Sequence, residues 1–134
     1  NIGSAFLLQA ETITSDVKNA VEKELHKVFK PEFLNRIDSI VFFNQLTEKE
    51  ITAITRLQLN HVIDRLKLRN ITVKVDDAVI QYVAEKGFVK EFGARPIKRA
   101  IQDLVIVPLS QYLLQHGNVQ TVKILMKNGD LIIE

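Results

Sequence analysis

The hydrophobic positions in the first part of the chain predict a helix. Between residues 15 and 28, apolar side chains recur every three or four positions with charges between them, which is the spacing of one buried helix face. Ser15 or Asp16 is suited to cap its start. Pro31 either breaks this helix or opens a short one that runs to Arg36, because proline is tolerated in the first helical turn. The stripe consists of Val17, Ala20, Val21, Leu25 and Val28.

A different pattern follows at residues 37–43, which read Ile-Asp-Ser-Ile-Val-Phe-Phe. β-branched and aromatic residues occupy both alternate sets of positions towards the end of this segment, so both faces of a strand formed here would be apolar. This is typical of a strand buried on both faces, and such strands belong to parallel sheets. The rest of the chain does not obviously supply a parallel sheet. We therefore expect residues 1–44 to be the end of a larger domain. The first residue, Asn1 rather than Met, also suggests a fragment or a processed product.

The remaining residues, 45–134, begin with the pattern helix, strand, helix. Thr47 and Glu50 have the spacing of a capping box, in which each side chain bonds the backbone of the other residue, and they precede a long helical stripe. Residues 71–75 alternate apolar and polar side chains, which predicts a half-buried strand. A second amphipathic helix follows, and Gly87 is suited to end it.

The last part of the chain predicts a further helix and a β-hairpin. The helical stripe starts near Pro96 and continues to about Gly117, and Pro108 should kink it because proline lacks a backbone donor. Asn128-Gly129 favours the two positive φ angles of a type I′ turn between strands. Residues 45–134 therefore predict an α+β unit that is large enough to fold by itself.

Composition excludes several classes of protein. The chain has 134 residues, of which 46% are hydrophobic, so it can build a core and is not disordered throughout. Without cysteine it has neither a disulfide framework nor a zinc–thiolate site, and this usage fits a reducing compartment. No apolar run reaches the roughly 18 residues of a membrane span. A formal net charge of +2 gives no electrostatic reason to expect a nucleic-acid partner.

Motifs for catalysis or metal binding are absent from the sequence. It contains no phosphate-binding Gly-x-x-x-x-Gly-Lys-Ser/Thr loop and no Gly-x-Gly-x-x-Gly. His26, His61 and His116 are scattered, with no carboxylate at ligand spacing, so no metal site is predicted.

Two arginines stand out from this background. Arg36 lies at the end of the short helix predicted from Pro31. Its guanidinium group has several N–H donors in one plane, which could bind phosphate oxygens. An ion pair with Glu32 or Asp38 is the simpler interpretation. Arg95 precedes Pro96 at a predicted helix start, where the helix dipole disfavours a cation unless an anion binds there. A solvated basic turn is the alternative for Arg95.

The two segments together resemble the second ATPase module of the Clp chaperones, which are AAA+ proteins. The matching residues are Phe-Lys-Pro-Glu-Phe-Leu-Asn-Arg-Ile-Asp at 29–38 and Gly-Ala-Arg-Pro-Ile-Lys-Arg-Ala-Ile-Gln at 93–102. The opening Asn-Ile-Gly-Ser is similar to the end of that family's Thr-Ser-Asn-x-Gly segment. The resemblance covers essentially the whole chain, and both motifs occur in order at the family's spacing.

The resemblance implies a role for each site residue. Arg36 matches the arginine finger, which reaches the γ-phosphate bound by the neighbouring subunit. Arg95 matches the sensor-2 arginine, which contacts nucleotide in its own subunit, and Asn1 matches the sensor-1 residue. Residues 1–44 would be the end of the large nucleotide-binding subdomain, with the strand at 37–43 in its parallel sheet. Residues 45–134 would be the C-terminal small subdomain, with helices packed on a three-stranded sheet.

The implied function is that of an ATP-driven homohexameric protein unfoldase in the cytoplasm. Its cofactor would be ATP, with Mg²⁺ held by residues outside this chain, so we expect the chain alone not to hydrolyse ATP. Its partners would be the other subunits and unfolded or aggregated proteins, with no nucleic acid and no membrane. The ClpB disaggregases are the favoured branch; ClpC and ClpA, which feed a peptidase, remain open.

Two further points qualify this implied function. An assembly module without a nucleotide role in isolation is the competing hypothesis.

The family usually has Asp-Pro and two tyrosines in the loop before Arg95, whereas this chain has Val89-Lys90 and the phenylalanines Phe88 and Phe92. We therefore expect a less hydrogen-bonded loop at that position.

Overall fold

The chain forms two compact units, Asn1–Gln45 and Leu46–Glu134. They are seen in a computed structural model that describes residues 2, 4–9, 12–89 and 92–134. The assignment of residues 1–44 and 45–134 to two AAA+ subdomains stays a prediction.

Helices make up the regular structure of the first unit. They are α1 (Ser4–Gln9), α2 (Ser15–Val28) and α3 (Pro31–Leu34). The helix predicted from residue 15 is confirmed, but its cap is Thr14 rather than Ser15 or Asp16: the Thr14 hydroxyl accepts a hydrogen bond from the Val17 N–H at 3.4 Å. The cap moves one residue back because the N-cap must have extended backbone angles, and Ser15 is already helical.

The strand predicted at residues 37–43 is wrong. This segment is irregular, and none of the described residues of the first unit forms a strand beside it. A strand needs a neighbour to receive its backbone hydrogen bonds, and its β-prone composition does not replace that neighbour. As a result, Val41 and Phe43 are 69% and 83% exposed.

The second unit contains helices and a three-stranded sheet. Its elements are α4 (Glu48–Lys67), β1 (Thr72–Val75), α5 (Asp77–Gly87), α6 (Ile97–Ile101), a π-helical segment (Gln102–Ile106), α7 (Val107–His116), β2 (Thr121–Lys127) and β3 (Asp130–Ile133). The strands lie in the order β1-β2-β3, with β1 parallel to β2 and β2 antiparallel to β3. The expected α+β fold, with helices packed on a three-stranded sheet, is confirmed.

One core holds this unit together. Val73 lies opposite Val122 in the parallel ladder, and both point from the sheet towards the helices. Burying such side chains is worth roughly 1.5–3 kcal/mol each, which is the main stabilisation of a unit of this size. The fully buried side chains are Leu59, Ile97, Ile124, Val79, Val83, Val105, Val122 and Thr55.

The capping box at the start of α4 is confirmed. The Thr47 hydroxyl accepts from the Glu50 N–H at 3.3 Å, and Glu50 Oε2 accepts from the Thr47 N–H at 2.7 Å. A third bond, from the Thr47 hydroxyl to the same carboxylate at 2.8 Å, closes the arrangement. These bonds hold the pKa of Glu50 below its ordinary value, with the backbone bond contributing most.

The predicted type I′ hairpin is also confirmed. Asn128 and Gly129 have φ angles of 55° and 91°, and Lys127 pairs with Asp130 across the turn. The tight turn fixes the register that points Leu131 and Ile133 of β3 towards the core.

The helix in which Pro108 was predicted to cause a kink is not one continuous α-helix. The helix widens to π geometry over Gln102–Ile106, where the Val107 N–H bonds the Gln102 carbonyl, and α7 then starts at Val107. Pro108 consequently lies in a first helical turn, where its missing N–H is not required. The π-helical segment could not be predicted from the apolar residues of this helix, because Ile101, Val105 and Leu109 recur every four positions, as they would in an α-helix.

Gly87 does end α5, but for a different reason from the one predicted. It does not adopt a left-handed φ; instead α6 crosses directly over it. A Cβ atom at this position would lie 2.9 Å from the Ile97 Cα and 3.0 Å from the Ala100 Cβ. Only glycine lets the two helix backbones approach this closely.

We expect Gly87→Ala to lower the free energy of unfolding of this chain by about 1–2 kcal/mol. The overpacking cost of roughly 1–3 kcal/mol exceeds the ~0.5–1 kcal/mol that alanine gains in helix propensity. Urea unfolding followed by circular dichroism measures this change. Because Ala100 supplies part of the clash, Ala100→Gly should cost less in the Gly87→Ala background than alone. Strictly additive effects would mean that the two positions do not touch.

The capping box predicts a pH dependence. A carboxylate whose folded pKa is depressed stabilises the fold above its unfolded pKa, and this contribution is lost as the pH falls through the folded pKa. Glu50→Gln should therefore be less stable than wild type at neutral pH and converge with it in acid. Glu48→Gln, on the same first turn but outside the box, is the control. Unfolding midpoints measured across the carboxylate range test this, and an equal gap at every pH would contradict it.

Candidate functional site

Arg36 lies on a tight turn that leaves α3. Pro31 occupies the first turn of this helix, and Phe33 stacks on Phe29 with ring centroids 4.9 Å apart. The Arg36 N–H donates to the Phe33 carbonyl at 3.1 Å, and the Ile37 N–H donates to the Leu34 carbonyl at 3.1 Å. Successive backbone bonds of this kind fix the direction in which the chain carries Arg36 away from the helix.

The guanidinium of Arg36 is exposed and has no ion pair with the described residues. Neither Glu32 nor Asp38, the partners of the simpler interpretation, lies within 4.0 Å of it. Within the part of the chain that the structure describes, no salt bridge of Arg36 would have to break before its charge met an anion from another molecule.

Arg95 is held by a second turn, which is built around Gly93. Gly93 has φ +59°, and its N–H donates to the Val89 carbonyl at 2.7 Å, forming an isolated bridge between these residues. The Phe92 N–H donates to the same carbonyl at 3.0 Å. These two backbone bonds close the loop before Arg95.

The residues after Arg95 anchor it to the core. Pro96 is the N-cap of α6, and Ile97, the first residue of that helix, is completely buried. Ala94 on the other side of Arg95 also packs against the core cluster. Arg95 itself is exposed, with no ion pair among the residues that the structure describes. The predicted place of Arg95 before a helix start is confirmed.

The turn differs from the prediction in one respect. The bridge between Val89 and Gly93 was not predicted, because its only sequence signal is a glycine that permits the angle. Phe92, one of the two phenylalanines of this loop, is 61% exposed. Lys90 and Glu91 lie outside the described residues, as does Asn1, the proposed sensor-1 residue.

Arg36 belongs to the first unit and Arg95 to the second. Each arginine lies on its own unit, with its own supporting turn. Among the described residues, no group of histidine and carboxylate side chains could hold a metal ion. Within the same part of the chain, no helix is both long and apolar enough to cross a membrane.

The second unit is thus an α+β domain in which helices pack with a mixed three-stranded sheet and a turn around Gly93 places Arg95 between α5 and α6. The family model described as the C-terminal, D2-small domain of ClpB protein matches residues 46–125. The chain belongs to this family, and it corresponds to a C-terminal part of the second module of a Clp chaperone.

Curated proteins of the Clp family are similar in sequence to this chain, which is consistent with this assignment. The chain is 39% identical over 114 residues to the chaperone protein ClpB of Bdellovibrio bacteriovorus, covering 85% of this chain and 13% of the relative. It is 38% identical over 133 residues to ClpC/MecB of Bacillus subtilis, a negative regulator of genetic competence, covering 96% of this chain and 16% of the relative. The chain thus spans about a sixth or less of the length of these curated relatives.

Solved structures of Hsp104 have the same fold. One, a closed state with ATPγS and FITC-casein, superposes with a TM-score of 0.82 at 29% identity, over 100% of this chain and 24% of that chain. Another, the S. cerevisiae Hsp104–ADP complex, gives a TM-score of 0.81 at 29% identity, over 99% of this chain and 24% of that chain.

The left-handed angle at Gly93 gives a testable prediction. We expect Gly93→Ala to destabilise the chain by about 1–2 kcal/mol, because a Cβ atom is unfavourable at this φ. The loss should not come from crowding, since the nearest atom to such a Cβ, Leu46 Cδ1, lies 3.9 Å away. Gly93→Asn is the matched variant: Asn70 and Asn128 adopt φ 60° and 55° in this chain, so asparagine should cost less than alanine. Urea unfolding compares the two, and an equal loss would refute the backbone explanation.

Proposed function

We propose that this chain is the C-terminal portion of an ATP-driven hexameric protein unfoldase of the disaggregase type. In this proposal Arg36 is the arginine finger for the nucleotide of a neighbouring subunit, and Arg95 is the sensor-2 arginine of its own subunit. Asn1 would be the sensor-1 residue. The observation that carries the proposal is that both arginines are exposed on backbone-bonded turns, without a carboxylate partner among the described residues.

The chemistry of phosphoryl transfer explains why arginines would be needed. Negative charge on the transferred group must be stabilised in the transition state, and an arginine supplied by a neighbour is worth on the order of 10³–10⁵ in rate. The planar guanidinium can bond two oxygens of one phosphate, which a lysine cannot do. A finger supplied in trans also makes hydrolysis depend on assembly, so that a separate subunit stays inactive.

The other parts of the proposal follow from this arrangement. ATP is the cofactor. The loop that binds its phosphates and the residues that bind its Mg²⁺ lie outside this chain. The partners are the other subunits of the homohexamer and the unfolded or aggregated proteins on which it acts in the cytoplasm. Since Arg36 and Arg95 belong to different units, residues 44–46 would act as the hinge through which nucleotide state changes the angle between them.

A peptidase-linked unfoldase of the ClpC or ClpA type is the second candidate. It is favoured by the 38% identity to ClpC/MecB of Bacillus subtilis, which extends over 96% of this chain. The arginine roles are the same in both candidates, because the difference between them concerns where the unfolded protein is delivered.

Complementation between two variants of the parent protein tests the arginine roles. Arg36→Ala subunits keep their own Arg95 but lack the finger that they should donate to a neighbour. Arg95→Ala subunits keep that finger. Each variant alone should lose most ATP hydrolysis. When both are assembled together, some nucleotide sites regain both arginines, so hydrolysis should exceed that of either variant alone.

Two controls make the complementation interpretable. Sedimentation must show hexamers for each variant and for the mixture, and nucleotide binding must persist in Arg36→Ala. Arg99→Ala removes an exposed arginine four residues from Arg95 and should leave most of the activity. A mixture whose activity never exceeds the average of the two variants would overturn the assignment of Arg36 to a neighbouring site.

A further inference from the structure

The tip of the β2–β3 hairpin is formed by an asparagine followed by a glycine. Asn128 and Gly129 are both exposed, and the space around Gly129 is open: a Cβ atom built there would meet nothing within 4 Å. The hairpin ladder uses Lys127 and Asp130 on either side of the turn. Within the described chain, the Gly129 N–H donates no hydrogen bond.

This geometry matters because an asparagine side-chain amide can be attacked by the backbone nitrogen of the following residue. The attack needs that nitrogen to be free and unhindered. Among the residues that the structure describes, other exposed asparagines fail this condition. The N–H after Asn118 belongs to Val119 and donates to the Gly117 carbonyl at 2.7 Å, and the N–H after Asn70 belongs to Ile71 and donates to the Leu66 carbonyl at 3.1 Å.

The same comparison holds for most of the remaining described asparagines. The N–H after Asn35 donates to the Phe33 carbonyl at 3.1 Å, and Asn19 and Asn60 lie inside helices α2 and α4. The backbone N–H after Asn44 has no hydrogen bond among the described residues, but it belongs to Gln45, which carries a side chain, unlike glycine. Asn128 combines a free following N–H with a following residue that has no side chain.

We propose that Asn128 is a site of spontaneous deamidation. The Gly129 nitrogen gives its proton to water and forms a bond to the Asn128 Cγ. The bond from Cγ to the side-chain nitrogen breaks, and that nitrogen leaves as ammonia after taking a proton from water. Water then opens the resulting succinimide ring at one of its two carbonyls, which yields either an ordinary aspartate or an isoaspartyl linkage.

The isoaspartyl product would act on the hairpin through the backbone. It inserts one extra backbone carbon into a two-residue turn, whose twist and register depend on its length. The pairing of Lys127 with Asp130 should weaken first, and with it the register that points Leu131 towards the core. Either product also adds a carboxylate close to Asp130. Deamidation would therefore loosen the last strand of the unit as the protein ages.

Timed incubation of the folded full chain at mildly alkaline pH tests the proposal. Peptide mapping by mass spectrometry follows the mass change from amide to acid at each asparagine, and methyl transfer by an isoaspartyl-specific methyltransferase detects the isoaspartyl form. Asn128 should convert several-fold faster than Asn118, an internal control that is also exposed. Hydrogen exchange on the converted fraction should show faster exchange in β3 than in α4.

A parallel incubation in urea separates the sequence effect from the folded geometry. We expect Asn128 to convert in both conditions, while Asn118 and Asn70 gain rate on unfolding because their following N–H groups are released. The proposal is overturned if Asn128 converts in urea but stays intact in the folded chain, since the turn would then protect it. It is also overturned if Asn118 converts in the folded chain as fast as Asn128.

Discussion

The contact between α5 and α6 at Gly87 determines much of the second unit. Because no side chain separates the two helices, Ile97 is buried against the end of α5, and the chain between them has to return within a short loop. That loop is closed by the Val89–Gly93 bridge and delivers Arg95 to the start of α6. The position of the arginine therefore depends on a backbone contact in the core as well as on the loop that carries it.

Features that depend on neighbouring residues could be predicted from the sequence. The capping box of Thr47 and Glu50 and the Asn128-Gly129 turn are complete within a few positions, so pattern alone was sufficient. Features that depend on residues far away in the sequence could not be predicted. The strand at residues 37–43 has the right composition but no neighbouring strand in the described chain, and the contact at Gly87 needs a helix that begins ten residues later.

The candidate site divides in the same way. The turns that present Arg36 and Arg95 were predictable, since proline and glycine mark them in the sequence. That Arg36 forms no ion pair with Glu32, Asp38 or any other described residue was not predictable, because both carboxylates are close enough in sequence to suggest one. Whether a charged pair forms depends on the direction that the turn gives each side chain, and spacing alone does not set that direction.

An unpaired arginine on a backbone-bonded turn is well suited to bind a phosphate from another molecule. A salt bridge within the chain would have to be broken before binding, and a flexible loop would lose conformational entropy when it became ordered. Here the local hydrogen bonds around Phe33 and Val89 have already fixed the backbone. Only the arginine side chain remains to be ordered, so more of the electrostatic interaction is available for binding. In the proposed function, Arg36 would meet the nucleotide of a neighbouring subunit and Arg95 the nucleotide of its own, each from a turn whose backbone bonds are already made.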